Sequence, residues 1–109
     1  MKKNYKCIFA IVNTGFSEVA MEAAKSAGAT GGTILTARGT ASKEAEKFFN
    51  ISIQPEKEIV MILAKTNLVD DILKSLYKAI GSSTQAQGIA FALPVDEVAG
   101  LEEKVKEDK

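Results

Sequence analysis

The apolar residues of this chain switch spacing in a fixed order, from continuous to helical to alternating and then round again, and that order constrains the fold more than any other feature. Tyr5 to Val12 is nearly uninterrupted in apolar residues and rich in aromatic and β-branched ones, as in a strand buried on both faces. From Phe16 the apolar positions are Val19, Ala20, Ala23, Ala24 and Ala27, a helical stripe with Glu18, Glu22 and Lys25 facing away and Gly28 as its stop. Thr33 to Arg38 alternates and predicts a second strand. A polar segment from Gly39 to Lys47 follows, within which 42–47 has the pattern of a small capped helix. Phe49, Ile51 and Ile53 share one face of the next region, as do Ile59, Met61 and Leu63, and Pro55 between them implies an edge or a bulge. Asn67 is placed to cap a second helix, with Asp70 and Asp71 at its positive end. Its stripe runs through Leu68, Val69, Ile72, Leu73, Leu76, Tyr77 and Ile80 to Gly81. The last strand is expected over Gly88 to Leu93, closed by Pro94, with a short helical turn from Asp96 to Gly100.

Strand, helix, strand, strand, helix, strand is the order of an α+β, ferredoxin-like βαββαβ domain: a four-stranded antiparallel sheet with two helices on one face. One such domain is expected over 1–101, with 102–109 as a charged, mobile tail. The helix-free face of the sheet would still carry apolar side chains, so association with further copies of the chain is expected. Covering even a modest area at about 25 cal/mol per Å² contributes several kcal/mol.

Composition removes several classes of function. The 14 basic and 14 acidic residues cancel, leaving no long-range positive field to attract nucleic acid, so no nucleic-acid partner is expected. Histidine is absent, which removes the commonest general base and metal ligand, and neither a metal site nor a catalytic residue is predicted. Asp70 and Asp71 are adjacent on a helix and point about 100° apart, a poor geometry for a carboxylate dyad. Cys7 is the sole cysteine and lies in an apolar run, as suits a buried residue in a reducing cytoplasm. No tract approaches the ~20 apolar residues of a membrane-spanning helix. A cytoplasmic, non-enzymatic protein is therefore expected.

Gly28, Gly31, Gly32 and Gly39 cluster around the second strand together with Arg38, the only arginine, and so join backbone freedom to a permanent cation. The glycines lack both the lysine of a Walker loop and the spacing of a dinucleotide fingerprint.

The run Gly31-Gly32-Thr33-Ile34 to Arg38-Gly39, the Pro55-containing lead into Glu58-Ile59-Val60-Met61-Ile62-Leu63, and the stretch Gly88 to Val98 together resemble the P-II family of signal-transduction proteins over roughly Tyr5 to Val98. The resemblance implies a homotrimer with a small effector in clefts between subunits, an adenine nucleotide with fewer phosphates or a different metabolite being the candidates. It also implies control of a regulated protein such as a membrane transporter, and no obligatory cofactor. By position, the effector cleft would involve Thr33, Arg38, Gly39, Thr40, Ile62, Gln87 and Gly88, with backbone amides near Gly39 and Gly88 facing phosphate or carboxylate. The chain also departs from the family pattern. ATP-binding relatives carry a lysine just after the loop glycine and two arginines near the C-terminus, where this chain has Ile89, Gly100 and Glu102. The segment after Gly39 also lacks the tyrosine that some relatives modify. A structural or adaptor trimer that has lost nucleotide binding is the alternative.

Overall fold

A computed structural model of the chain describes residues 4–40 and 55–101. The elements are β1 (Tyr5–Asn13), α1 (Ser17–Ser26), β2 (Thr33–Arg38), β3 (Glu56–Lys65), α2 (Val69–Ile80) and β4 (Ile89–Pro94). They form one four-stranded antiparallel sheet in the order β2-β3-β1-β4, the ferredoxin-like arrangement expected from the sequence. The expected faces of Phe49, Ile51 and Ile53, the small helix over 42–47 and the tail over 102–109 lie outside the described residues.

The two central strands are antiparallel, with Ile8 opposite Ile62 and Ala10 opposite Val60. Period-two alternation therefore sends Ile8, Ala10, Val12, Val60 and Ile62 to one side, where all five are fully buried. The helices cover that side. α1 contributes Ala20 and Ala24, small enough for its backbone to approach the sheet, and α2 contributes Val69, Ile72, Leu76 and Ile80. Ser75 Oγ donates to the Ala23 carbonyl at 2.7 Å and pins the two helices together.

The helix boundaries show where local signals are overridden. Gly28 ends α1 with φ +114°, a conformation open to glycine and strained for other residues. α2 is not capped by Asn67: a 3₁₀ turn over Thr66–Leu68 precedes it, Leu68 occupies the cap position, and no side chain bonds to the first amides. The Thr66 amide instead donates to the Asn4 carbonyl at 2.9 Å, tying the turn to the start of β1. Tyr77, at the edge of the apolar stripe, is 73% exposed. The helical turn expected over 96–100 is absent, and the backbone there is irregular with a single bridge at Val98.

The sequence predicts a β1 buried on both faces, and within one chain only the helix side is. The opposite face carries Cys7, Phe9 and Ile11 from β1, Ile59, Met61 and Leu63 from β3, Leu35 from β2 and Ile89, Phe91 and Leu93 from β4. Among the described residues, no helix covers it. Ile89, Leu93, Leu35 and Phe91 are between 38% and 59% exposed.

Gly88 tests the packing at the entrance to β4. A Cβ there would lie 2.5 Å from the Ile80 carbonyl oxygen and 3.0 Å from Val12, whereas one on Gly31 would meet nothing within 4 Å. Gly88→Ala is expected to destabilise the fold by about 1–3 kcal/mol in urea titrations and Gly31→Ala by well under about 1 kcal/mol.

Candidate functional site at one end of the sheet

β1 and β2 run parallel to each other and opposite to β3 and β4, so the exits of the first pair and the entrances of the second meet at one end of the sheet. Arg38, Gly39, Thr40, Gln87 and Gly88 all lie at that end. They form two groups, because β2 and β4 are the outer strands with β3 and β1 between them, about 14 Å apart at the usual strand spacing. Thr33 and Ile62 stand apart from both. Thr33 is at the other end of β2, opposite Met61 and about 17 Å along the strand from Arg38. Ile62 is fully buried in the helix-side core, so its side chain faces no cleft of this chain.

Of the amides expected to face an anion, those of Gly39 and Gly88 themselves are already engaged. The Gly39 N–H donates to the Pro55 carbonyl at 2.7 Å and the Gly88 N–H to the Ile80 carbonyl at 2.6 Å. With those two amides taken, side chains are the other source of hydrogen-bond donors at this end. Arg38 is exposed on the helix-side row of β2, opposite Glu56, and no carboxylate among the described residues pairs with it.

Between the two groups lies a polar network that sequence reasoning missed. Asn13, 6% exposed, accepts from Lys57 Nζ at its Oδ1 at 2.7 Å and donates from Nδ2 to the Gln85 carbonyl and to Gln87 Oε1, both at 3.2 Å. The Asn13 backbone amide donates to the Ala86 carbonyl at 3.0 Å. Lys57 in turn packs beside Gly39: a Cβ on that glycine would sit 3.1 Å from the lysine Cε. Gln87 adopts φ +47°, the one non-glycine residue with positive φ among the described residues, and its amide donates to the Thr84 carbonyl. Asn13 and Lys57 are 44 positions apart and face each other only through strand register, so no local motif announces them.

Glu58, next along β3 and on the opposite face, has a different task. Its Oε1 accepts from the Gly15 amide at 3.1 Å and the Ser17 amide at 3.3 Å, placing a carboxylate at the positive end of α1. This explains why α1 begins at Ser17 although Phe16, at the cap position, offers no side-chain bond.

At the other end of the sheet a groove of about 620 Å³ is lined by Tyr5, Cys7, Gly28 to Thr33, Met61, Leu63, Ala64, Lys65, Leu68 and Leu101. Thr33 is the one predicted site residue that it contains. Burial pushes the Cys7 thiol above its ordinary pKa, which disfavours the reactive thiolate. A second groove of about 320 Å³, lined by residues that include Leu73, Tyr77, Gly88 and Ile89, runs between α2 and β4.

The family model described as nitrogen regulatory protein P-II matches residues 5–104. A search of curated protein sequences finds no match. Among solved structures, the chain is similar to Arabidopsis thaliana PII bound to citrate, at 20% identity and TM-score 0.65, over 89% of this chain and 80% of that one. It is also similar to CPII, a nitrogen regulatory PII-like protein from Thiomonas intermedia bound to ADP, AMP and bicarbonate, at 16% identity and TM-score 0.66, over 89% of this chain and 96% of that one. At these identities the likeness is one of fold.

Two measurements check the geometry around this sheet. Glu58→Ala should cost about 1 kcal/mol of stability by removing the carboxylate from α1. Iodoacetamide near neutral pH should label Cys7 more slowly in the native protein than in urea.

Proposed function

Because the chain belongs to the nitrogen regulatory protein P-II family, we propose that it is a cytoplasmic, non-enzymatic signal-transduction protein that assembles as a homotrimer and takes a small effector in the clefts between subunits. The open apolar face carries this reading. It presents stacked Phe9 and Phe91 rings, with centroids 5.7 Å apart and planes at 10°, flanked by half-exposed aliphatic side chains that a like copy would cover. In such an assembly the edge of one sheet is completed by its neighbour, so the separated Arg38 and Gln87 groups need not close a cleft within one chain.

An adenine nucleotide is the first effector to test, since the Thiomonas intermedia relative of the same fold holds ADP and AMP; citrate, held by the Arabidopsis protein, is the second. Effector binding at the β2 exit bears on the segment that follows Gly39, and the regulated partner, a membrane transporter being one candidate, reads the change through differential contacts in the two states. A trimeric adaptor without a nucleotide is the second reading. It is favoured by Ile89, 59% exposed where ATP-binding relatives carry a lysine.

Light scattering at micromolar concentration should report a trimer, and Phe91→Asp should yield a folded monomer or dimer; a monomeric wild-type protein would sink the assembly. In a thermal-shift panel of ADP, AMP and citrate, a true effector at about 100 times its Kd adds about 2.7 kcal/mol and raises Tm by several degrees. A trimer that responds to none of the three would be the adaptor.

A further inference from the structure

The hydrogen-bond chain through Asn13 has a direction, and that direction determines what the site offers a ligand. An ammonium can only donate and a backbone carbonyl can only accept. Lys57 Nζ therefore requires Oδ1 of Asn13 on its side, and the Gln85 carbonyl requires Nδ2 on the other, so the Asn13 side-chain amide has a single orientation that satisfies both. With Nδ2 also aimed at Gln87, the glutamine must turn its Oε1 inward. Its Nε2 then takes no part in the bond to Asn13. Gln87 is exposed, and among the described residues nothing accepts from that Nε2. At the other end of the chain of bonds the partly buried Lys57 ammonium has used one of its three donors on a neutral oxygen, and no carboxylate among the described residues pairs with it. Both ends thus keep N–H groups that no carboxylate or other acceptor among the described residues is seen to take, at the sheet end where the amides of Gly39 and Gly88 are already engaged.

We infer that Asn13 is a specificity-determining residue: without touching the effector, it sets Gln87 and Lys57 as paired donors and so selects a ligand with oxygen acceptors, of the phosphate or carboxylate class. The inference rests on the effector reading above. Asn13 is a positioning residue, buried at 6% exposure, and its side-chain amide bonds to Lys57 on one side and to Gln85 and Gln87 on the other. Replacing it with a carboxylate reverses the polarity. In Asn13→Asp the new carboxylate accepts at both positions, neutralises Lys57 as an ion pair, and draws Gln87 Nε2 inward so that Oε1 faces the cleft.

The test has a ligand-free arm and a ligand arm. In side-chain amide hydrogen exchange of the free protein, the Asn13 Nδ2 protons should be protected and the Gln87 Nε2 protons should exchange freely; protection of Gln87 in the wild type would overturn the assignment. In calorimetric titrations with ADP, citrate and inorganic pyrophosphate, Asn13→Asp and Gln87→Glu should each lose tenfold or more in affinity. Gln85→Glu adds the same charge to the same turn but leaves the carbonyl bond in place, and it should lose less than threefold. Gln87→Glu keeps an inward acceptor for Asn13, so it separates loss of the outward donor from loss of the fold. Equal losses in all three variants would make the effect bulk charge and overturn the inference. Unchanged affinity in Asn13→Asp would remove it while the effector reading stands, whereas wild-type protein that binds none of the three probes would remove that reading and the inference together.

Discussion

The register of β1 between β3 and β4 is the constraint on which every other feature of the domain depends. Side chains alternate across a strand, so a slip of one residue would exchange Ile8, Ala10 and Val12 for Cys7, Phe9 and Ile11 against the helices. Shape resists the exchange: α1 meets the sheet through Ala20 and Ala24 and leaves no room there for a phenylalanine. The same register aligns Phe9 with Met61 on one side and Phe91 on the other, and it carries Asn13 opposite Lys57 at the end of the row. Core, open face and polar network are three consequences of one pairing.

A sheet covered on one side and apolar on the other is an incomplete structure, and the electrostatics of this chain suit its completion by copies of itself. With 14 cations against 14 anions, no net charge opposes the approach of like subunits. The apolar face can then be buried without a long-range penalty, its polar end at Asn13 and Lys57 staying at the margin. Under the proposed assembly, the face that limits the stability of one chain becomes the contact that holds several.

How much of this could be read from the sequence depends on how far apart the interacting groups are along the chain. Element order, both helical stripes and the Gly28 stop are all visible there because each is written in a local period or a single residue with a special φ. The Asn67 cap does not form because a tertiary contact outweighs a local signal: Asn4 takes the Thr66 amide and draws the backbone into a 3₁₀ turn ahead of Val69. Ile62 matches the cleft by position, yet alternation along β3 places it with Val60 and Ala64 on the covered side, while Met61 and Leu63 look outward. Asn13, Lys57 and Glu58 carry no such local signal. Their roles exist only between strands, and nothing in their neighbours along the chain distinguishes them from polar residues at strand ends.

Gly39 and Gly88 show why that gap bears on function. Glycine at a loop junction invites the idea of a free backbone amide cradling an anion, but here each amide is held by a carbonyl within 2.7 Å, and Gly88 is required because Ile80 and Val12 leave no room for a Cβ. With those two amides committed, the proposed selectivity passes to side chains. Side-chain donors, unlike amides fixed in a loop, can point either way unless something orients them. A buried asparagine bonded on one side to a group that only donates, and on the other to one that only accepts, supplies that orientation at the cost of a single polar residue in the interior. In the proposed site, the choice between acceptors and donors then rests on Asn13, which bonds to its neighbours and meets no ligand.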